Sequence, residues 1–124
     1  MSAILVEDNQ IQADVVKAYF RTKQIECILT SNGLEALEMC KRITPEFILL
    51  DIMLPDIPGY EVIERIRAFE QDRQLKPVPI FVLSALAMPG VRERCLNSGA
   101  NEYFSKPIQL ALLTAKIEEY LRGE

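Results

Sequence analysis

The sequence predicts an α/β protein in which helices cover both faces of a parallel β-sheet. Five short apolar runs alternate with five amphipathic segments along the 124 residues. The central runs are continuously apolar rather than alternating, as is typical of parallel strands buried on both faces. Together these two observations predict a three-layer sandwich of helix, sheet and helix.

Three strands and two helices are predicted in the first half of the chain. The apolar runs that predict strands are 2–6, 25–29 and 47–50. A helix over about 10–23 has Ile11, Val15, Ala18 and Tyr19 at helical spacing, which predicts that they face the sheet. The next helix follows the turn at 30–33 and carries Leu34, Leu37 and Cys40 on one face.

The second half continues the same alternation. A helix that opens at Pro58-Gly59 carries four apolar residues on one face: Val62, Ile63, Ile66 and Phe69. A polar loop, 70–77, leads to a fourth strand at 78–83, and a short helix at about 89–97 stops before Gly99. A fifth strand at 101–104 precedes a last helix at about 109–121, which places Leu113, Ile117 and Leu121 on one face.

Composition excludes several classes of function. The chain has 14 basic and 18 acidic residues without a dense basic cluster, so direct binding to nucleic acid or a membrane surface is not expected. The absence of histidine excludes a histidine triad, a histidine metal site and a phosphohistidine within this chain. There is no basic, apolar leader, and three widely spaced cysteines are read as reduced, buried residues. We therefore expect a cytoplasmic protein.

Polar residues follow the predicted strands at the edge where parallel sheets bind ligands. Glu7 and Asp8 follow the first strand, Asp51 ends the third, Ser84 ends the fourth and Lys106 follows the fifth. Three neighbouring carboxylates repel one another, and a hard divalent cation such as Mg²⁺ relieves that conflict. A hydroxyl and an ammonium suit phosphoryl oxygens, and an aspartate can itself be a phosphoryl nucleophile.

Each of these residues also has an ordinary structural interpretation. Asp8 alone reads as a helix cap, Ser84 as a turn residue and Lys106 as a solvated surface lysine. Asp51 is harder to explain in this way, because it directly follows the buried run 48–50. The set as a whole favours a site for Mg²⁺ and a phosphoryl group.

Four motifs make the chain resemble the receiver domains of two-component response regulators. They are Ile4-Leu-Val-Glu-Asp-Asn9, Leu50-Asp-Ile-Met-Leu-Pro-Asp-Ile-Pro-Gly59, Val82-Leu-Ser-Ala85 and Gly99-Ala-Asn-Glu-Tyr-Phe-Ser-Lys-Pro107. The resemblance covers 1–124 as a single receiver domain, with a core of about 2–122 and no output domain. It implies a flavodoxin-like (βα)₅ fold with a parallel sheet of order 2-1-3-4-5.

The resemblance also implies a role for each residue at the strand ends. Asp51 accepts a phosphoryl group from a histidine kinase or a histidine phosphotransfer protein. Mg²⁺, with Mn²⁺ as an alternative, is held by Asp8, Asp51 and the backbone carbonyl of Met53, while Glu7 acts through a metal-bound water. The phosphoryl oxygens are bound by Ser84, the backbone N–H of Ala85 and Lys106.

Other positions match the family in the geometry of loops and in switching. Pro107 occupies a position that is a cis-proline in the family, which sequence does not establish. Tyr103 matches the switch aromatic that fills space vacated by Ser84, and it also reads as a core-edge aromatic of strand five. Pro55 stiffens the loop after Asp51, and Gly59 permits either close packing or a special backbone angle.

This chain departs from the family in two places. Met53 and Leu86 are apolar at positions where polar residues are frequent in the family. This difference predicts slow self-dephosphorylation. The alternative is that the two side chains are partly covered surface residues without a kinetic role. Arg92, Glu102 and Lys116 fit a family dimer only in part, because Leu112 stands where an acid is expected. We therefore expect a monomer or a weak dimer.

The function expected from the resemblance is a phosphorylatable signalling switch that controls an unknown downstream protein. It is not a metabolic enzyme, although it helps catalyse its own phosphoryl transfer. We expect a stand-alone regulator; the alternatives are a receiver excised from a hybrid kinase or a DNA-binding regulator, and a phosphorylation-independent module. A phosphohydrolase is disfavoured, because the residue two positions after Asp51 is Met53 and not a second acid that could protonate a leaving group. Partner specificity is expected in exposed residues of the first helix, such as Gln10, Gln12 and Asp14.

Overall fold

Strands and helices alternate along the whole chain in the computed structural model, which describes residues 1–85 and 89–123. The strands are β1 (Ser2–Val6), β2 (Glu26–Thr30), β3 (Ile48–Asp51), β4 (Ile80–Ser84) and β5 (Glu102–Ser105). The helices are α1 (Gln10–Arg21), α2 (Gly33–Arg42), α3 (Gly59–Asp72), α4 (Val91–Ser98) and α5 (Leu110–Leu121). Each predicted strand and helix is present, with ends shifted by at most three residues.

The strands form one parallel sheet of order β2-β1-β3-β4-β5, which confirms the predicted topology. Val6 lies opposite Leu50, and Asp51 lies opposite Leu83, so the carboxyl ends of the three central strands meet at one edge. The chain order reverses between β1 and β3. A crevice therefore opens at this edge, where ligands bind in open α/β sheets.

The sheet is buried on both faces because successive strand residues enter two different apolar clusters. Ile4 and Val6 of β1 belong to the cluster beneath α2, α3 and α4. Ala3 and Leu5 belong to the cluster beneath α1 and α5. This division explains why the central strands are continuously apolar.

Helix α1 packs with a face that only partly matches the predicted one: Tyr19 packs against the core, but Ile11, Val15 and Ala18 are exposed. Ala13 and Phe20 are buried, and Val16 packs beside them, whereas Ile11 and Val15 are 77% and 57% exposed. Both sets of residues fit helical spacing, but only one can face the sheet. The short connection 7–9 between β1 and α1 restricts how the helix can be rotated. Two apolar side chains are consequently left on the surface beside the crevice.

The predicted faces of the other helices need smaller corrections. In α2, Leu37 and Cys40 pack against the core as predicted, but Leu34 in the first turn is 51% exposed. In α5, Leu113 and Ile117 are buried and Leu121 packs beside them. No helix in the described part of the chain has both the length and the hydropathy that a membrane span requires.

The loop predicted from residue 70 begins later, because Glu70 lies inside α3 and is buried. Its carboxylate accepts hydrogen bonds from Arg67 and from the backbone N–H of Val78, both at 2.8 Å. Arg67 also donates to the carbonyl of Gly99 and to the side chain of Asn101. The network joins α3 to β4, α4 and β5 at the end of the sheet opposite the crevice.

Candidate functional site

The residues predicted at the strand ends converge on the crevice between β1 and β3. Glu7, Asp8 and Asp51 each place a carboxylate oxygen within 4.8 Å of the others. Glu7 and Asp51 are buried, at 5% and 8% exposure, whereas Asp8 is exposed. The acids therefore form one cluster that is open to solvent on the side of Asp8.

Lys106 reaches this cluster from the loop after β5. Its Nζ lies 3.0 Å from Asp51 Oδ2 and 3.2 Å from Glu7 Oε1. It also donates to the side-chain amide oxygen of Gln12 in α1. An ammonium has three N–H groups, so these three acceptors occupy all of its donors.

The electrostatics of the site follow from three neighbouring carboxylates, of which two, Glu7 and Asp51, pair with the ammonium of Lys106. Burial raises the pKa of Glu7, and the charge of Asp51 adds to this effect against the opposing influence of Lys106. Burial by itself would lower the pKa of Lys106, but its hydrogen bond to Asp51 and the charges of Asp51 and Glu7 raise it. The ammonium is thus firmly charged, and the carboxylates retain a local excess of negative charge.

The donor set fits a hard divalent cation. All three grouped side chains offer carboxylate oxygens, which are the ligands that Mg²⁺ prefers. The solvent-open side leaves room for the waters that Mg²⁺ retains. Asp51 Oδ1 accepts from the backbone N–H of Met53 at 3.0 Å, which places the following loop beside the carboxylates.

The end of β4 lies on the other side of Asp51. Ser84 is buried, and its carbonyl accepts a hydrogen bond from the backbone N–H of Lys106 at 2.8 Å. Ala85 is exposed at the mouth of the crevice. The peptide bond between Lys106 and Pro107 is cis, as the resemblance implies. Leu86 lies outside the described residues.

The remaining predicted positions lie around the crevice rather than within the acid cluster. Tyr103 is half-buried on β5 and packs against the apolar cluster beneath α2, α3 and α4. The side chain of Met53 is 56% exposed, and Pro55 is exposed. Gly59 serves close packing: a Cβ there would lie 2.8 Å from the backbone Cα of Ile52.

Residues considered for a dimer make contacts within the chain. Glu102 accepts a hydrogen bond from the hydroxyl of Tyr120 at 2.8 Å. Lys116 lies 3.5 Å from Glu119 on the same helix, and Leu112 is 60% exposed. Arg92 is exposed.

Sequence reasoning missed two residues that shape the site. Gln12 was treated only as an exposed specificity residue, yet it is the third acceptor of Lys106. Asp56 caps α2 across the fold, accepting from the backbone N–H groups of Gly33 at 2.8 Å and Leu34 at 2.9 Å. Desolvation opposes a charge on Asp56, but these backbone bonds prevail and lower its pKa. Both contacts join distant segments, so no local pattern reveals them.

Comparison with known proteins agrees with this geometry. A model of the response regulator receiver domain matches residues 3–118. The polar-differentiation response regulator DivK of Brucella anthropi is 35% identical over 120 residues, covering 97% of this chain and 95% of the relative. DivK of Brucella ovis is 34% identical over the same length.

Two solved structures extend the similarity to three dimensions. The receiver domain of Saccharomyces cerevisiae Ssk1, crystallised with the histidine phosphotransfer protein Ypd1, has a TM-score of 0.89 at 32% identity. That match covers 96% of this chain and 87% of the other. The receiver domain of a Pseudomonas aeruginosa sensor histidine kinase, with magnesium in its active-site cleft, has a TM-score of 0.85 at 35% identity. That match covers 97% of this chain and 96% of the other. The chain belongs to the response regulator receiver domain family.

Proposed function

We propose that this receiver is a phosphoacceptor switch in which Asp51 takes a phosphoryl group from a phosphohistidine on a partner protein. The observation that carries the proposal is the position of Asp51. It ends a buried strand, with the carboxylates of Glu7 and Asp8 beside it and the Lys106 ammonium 3.0 Å away. A buried, rigidly held carboxylate between a cation site and an ammonium suits a phosphoryl nucleophile.

In the proposed reaction, a carboxylate oxygen of Asp51 forms a bond to phosphorus as the bond from phosphorus to the partner's imidazole nitrogen breaks. The electron pair of the broken bond stays on that nitrogen. Lys106 pairs with a phosphoryl oxygen, while the Ser84 hydroxyl and the backbone N–H of Ala85 bind the others. These groups stabilise the charge that the transferring phosphoryl group carries.

Asp8, Asp51 and the backbone carbonyl of Met53 would hold the metal ion, and Glu7 would act through a water. When bound, Mg²⁺ or Mn²⁺ neutralises charge on the carboxylates and the phosphoryl oxygens. Burial, and secondly the charge of Asp51, raise the pKa of Glu7, and a cation beside the carboxylates would offset both costs.

The surface of α1 beside the crevice is the proposed docking face for the histidine-bearing partner. Ile11 and Val15 are exposed apolar side chains on this helix, and such residues are favoured at protein interfaces. Gln10 and Asp14, which hydrogen-bond to each other at 2.8 Å, would contribute specificity. The relation of Ssk1 to Ypd1 supports a histidine phosphotransfer protein or a kinase as the partner class.

The output of the switch would pass through the end of β4 and through β5. As Ser84 engages the phosphoryl group, Tyr103 would change its packing and alter the surface that a downstream protein contacts. Its half-buried position is compatible with that movement and equally with a fixed role at the core edge. The exposed, apolar Met53 cannot orient water, so the phosphorylated state is expected to be long-lived.

Intact-mass measurement after incubation with acetyl phosphate, with and without Mg²⁺, tests the proposal. The wild type should gain a single Mg²⁺-dependent phosphoryl adduct, and its decay gives the lifetime. Asp51→Asn should remain folded and gain none, whereas Asp72→Asn, a matched change at an exposed position of α3, should label normally. Lys106→Ala should keep Mg²⁺ binding but lose the link between phosphorylation and output. An unlabelled, folded wild type that binds Mg²⁺ would favour the phosphorylation-independent module.

A further inference from the structure

The ammonium of Lys106 is held by three acceptors on three different elements. Glu7 follows β1, Asp51 ends β3, and Gln12 lies in the first turn of α1. The first two are charged, whereas Gln12 contributes a neutral amide oxygen. Only 18% of the Lys106 side chain is exposed, so its position depends on these contacts.

The two charged acceptors take part in the proposed reaction, so their hold on Lys106 changes during phosphoryl transfer. Asp51 becomes an acyl phosphate: both of its oxygens stay on the carboxyl carbon, and one of them also bonds to phosphorus. Glu7 would act on a bound cation through a water, which would draw part of its charge away from Lys106. The amide of Gln12 has neither role, because it carries no charge and is not one of the grouped carboxylates. Its contact with Lys106 can therefore persist from start to finish.

We propose that Gln12 is a positioning residue for phosphoryl transfer, and that its amide oxygen keeps the Lys106 ammonium aimed at the oxygens of the incoming phosphoryl group. The inference deepens the proposed function and rests on it. Lysine has a long, flexible side chain that loses much rotamer freedom when it is fixed. A third acceptor that stays in place reduces the number of orientations Lys106 samples at the moment of transfer.

A neutral hydrogen-bond acceptor suits position 12 better than a carboxylate or an apolar side chain. A carboxylate at residue 12 would add a fourth acid beside three that already repel one another, and it would compete for the ammonium. An apolar side chain would leave one N–H of Lys106 to solvent, with the ammonium held only by the two acceptors that take part in the reaction. An amide accepts the hydrogen bond without disturbing the charge balance of the site.

The experiment compares Gln12→Met with the wild type and with Gln71→Met. Methionine matches glutamine in length and helix propensity but cannot replace the amide acceptor. Gln71 is an exposed glutamine of α3, so its substitution controls for the chemical change alone. The labelling rate is measured against acetyl phosphate concentration at saturating Mg²⁺, and Mg²⁺ affinity is measured separately by calorimetry.

Gln12→Met should lower the maximal labelling rate about tenfold, as expected for losing one hydrogen bond to a charged group. Its half-saturating acetyl phosphate concentration, Mg²⁺ affinity and urea midpoint should match those of the wild type. NMR of the lysine ammonium groups in the metal-free protein supplies a second readout. The ammonium protons of Lys106 should exchange with water slowly enough to be observed in the wild type and in Gln71→Met. In Gln12→Met they should exchange too fast to be observed.

A Gln12→Met protein that labels at the wild-type rate, or that keeps the Lys106 signal, would overturn the assignment while leaving the phosphoacceptor function intact. An equal loss of rate in Gln71→Met would overturn it as well. A wild type that takes no phosphoryl group would refute the proposed function, and the role of Gln12 would fall with it.

Discussion

Asp8→Asn should make the metal-free protein more stable while removing its response to Mg²⁺. Asp8 lies within 4.8 Å of two other carboxylates, measured between ligand oxygens, and it has no ion pair with Lys106 at or below 4.0 Å among the described residues. Asparagine keeps the size of the side chain and removes the charge. The substitution therefore relieves repulsion without breaking the contacts of Lys106 to Glu7 and Asp51.

The size of the effect follows from the separation of the charges. At 4.8 Å, the upper limit of the separation between the ligand oxygens, two unit charges interact by about 0.9 kcal/mol in water and about 3.5 kcal/mol at an effective dielectric of about 20. Asp8 is exposed, which favours the lower figure, and Lys106 offsets part of the repulsion from the other two acids. We expect Asp8→Asn to raise the free energy of unfolding by about 1 kcal/mol at low ionic strength.

Urea denaturation at low salt, with and without MgCl₂, measures both halves of this prediction. Mg²⁺ at about ten times its dissociation constant should stabilise the wild type by about 1.4 kcal/mol and the variant by little. Asp72→Asn, away from the cluster, should leave both quantities unchanged. A variant that is less stable than the wild type without Mg²⁺, or equally stabilised by it, would refute the reasoning.

Three further predictions concern contacts outside the acid cluster. Glu70→Ala should destabilise the fold by about 3–5 kcal/mol in urea denaturation, because it leaves the largely buried charge of Arg67 unpaired; a loss below about 1 kcal/mol would contradict this. Asp56→Ala should cost about 1 kcal/mol through the lost cap of α2, again by urea denaturation, and Asp56→Asn should cost less. Burial, followed by the bond to Glu102, raises the pKa of Tyr120 to about 12. The associated stability should be complete below pH 10, the ordinary tyrosine pKa, and lost as pH rises through about 12. Phenolate absorbance should show the Tyr120 midpoint falling in Glu102→Gln; an unchanged midpoint would count against the contact.

The site residues at the strand ends were predictable, because the carboxyl ends of neighbouring parallel strands lie at the same edge of the sheet. Glu7 and Asp51 are far apart in the chain, yet each closes an apolar run, and parallel strands bring such ends to one edge. No knowledge of side-chain conformation is needed for that step. The same rule placed Lys106 and Ser84 beside them before any distance was known.

The side of a helix that faces the core was less predictable. In α1 the exposed pair Ile11 and Val15 and the buried pair Ala13 and Phe20 both fit helical spacing. The connection to β1 and the space between α1 and the sheet decide which face is buried. The hydrophobic periodicity of the sequence contains no information about either. The choice matters for the proposed docking face, because the wrong one hides the apolar side chains of Ile11 and Val15.

Contacts of polar and charged residues across the fold were also missed. Glu70 reads as a loop acid in sequence, but Arg67 and the backbone N–H of Val78 draw it into a buried network. The same holds for Gln12, whose partner lies 94 residues away. A polar residue with a distant partner looks solvated until the fold supplies that partner.

Lys106 explains how a charge change at Asp51 could reach β4 and β5. Its side chain bonds to Asp51, while its backbone N–H bonds to the carbonyl of Ser84 at 2.8 Å. A phosphoryl group on Asp51 would carry about two negative charges, in place of the single charge of the carboxylate. Any shift of Lys106 toward that group must be accommodated by the ends of β4 and β5, because its backbone is tied to both. The Gln12 contact joins the same ammonium to α1, so a shift of Lys106 would be felt at the start of α1 as well as at the ends of β4 and β5.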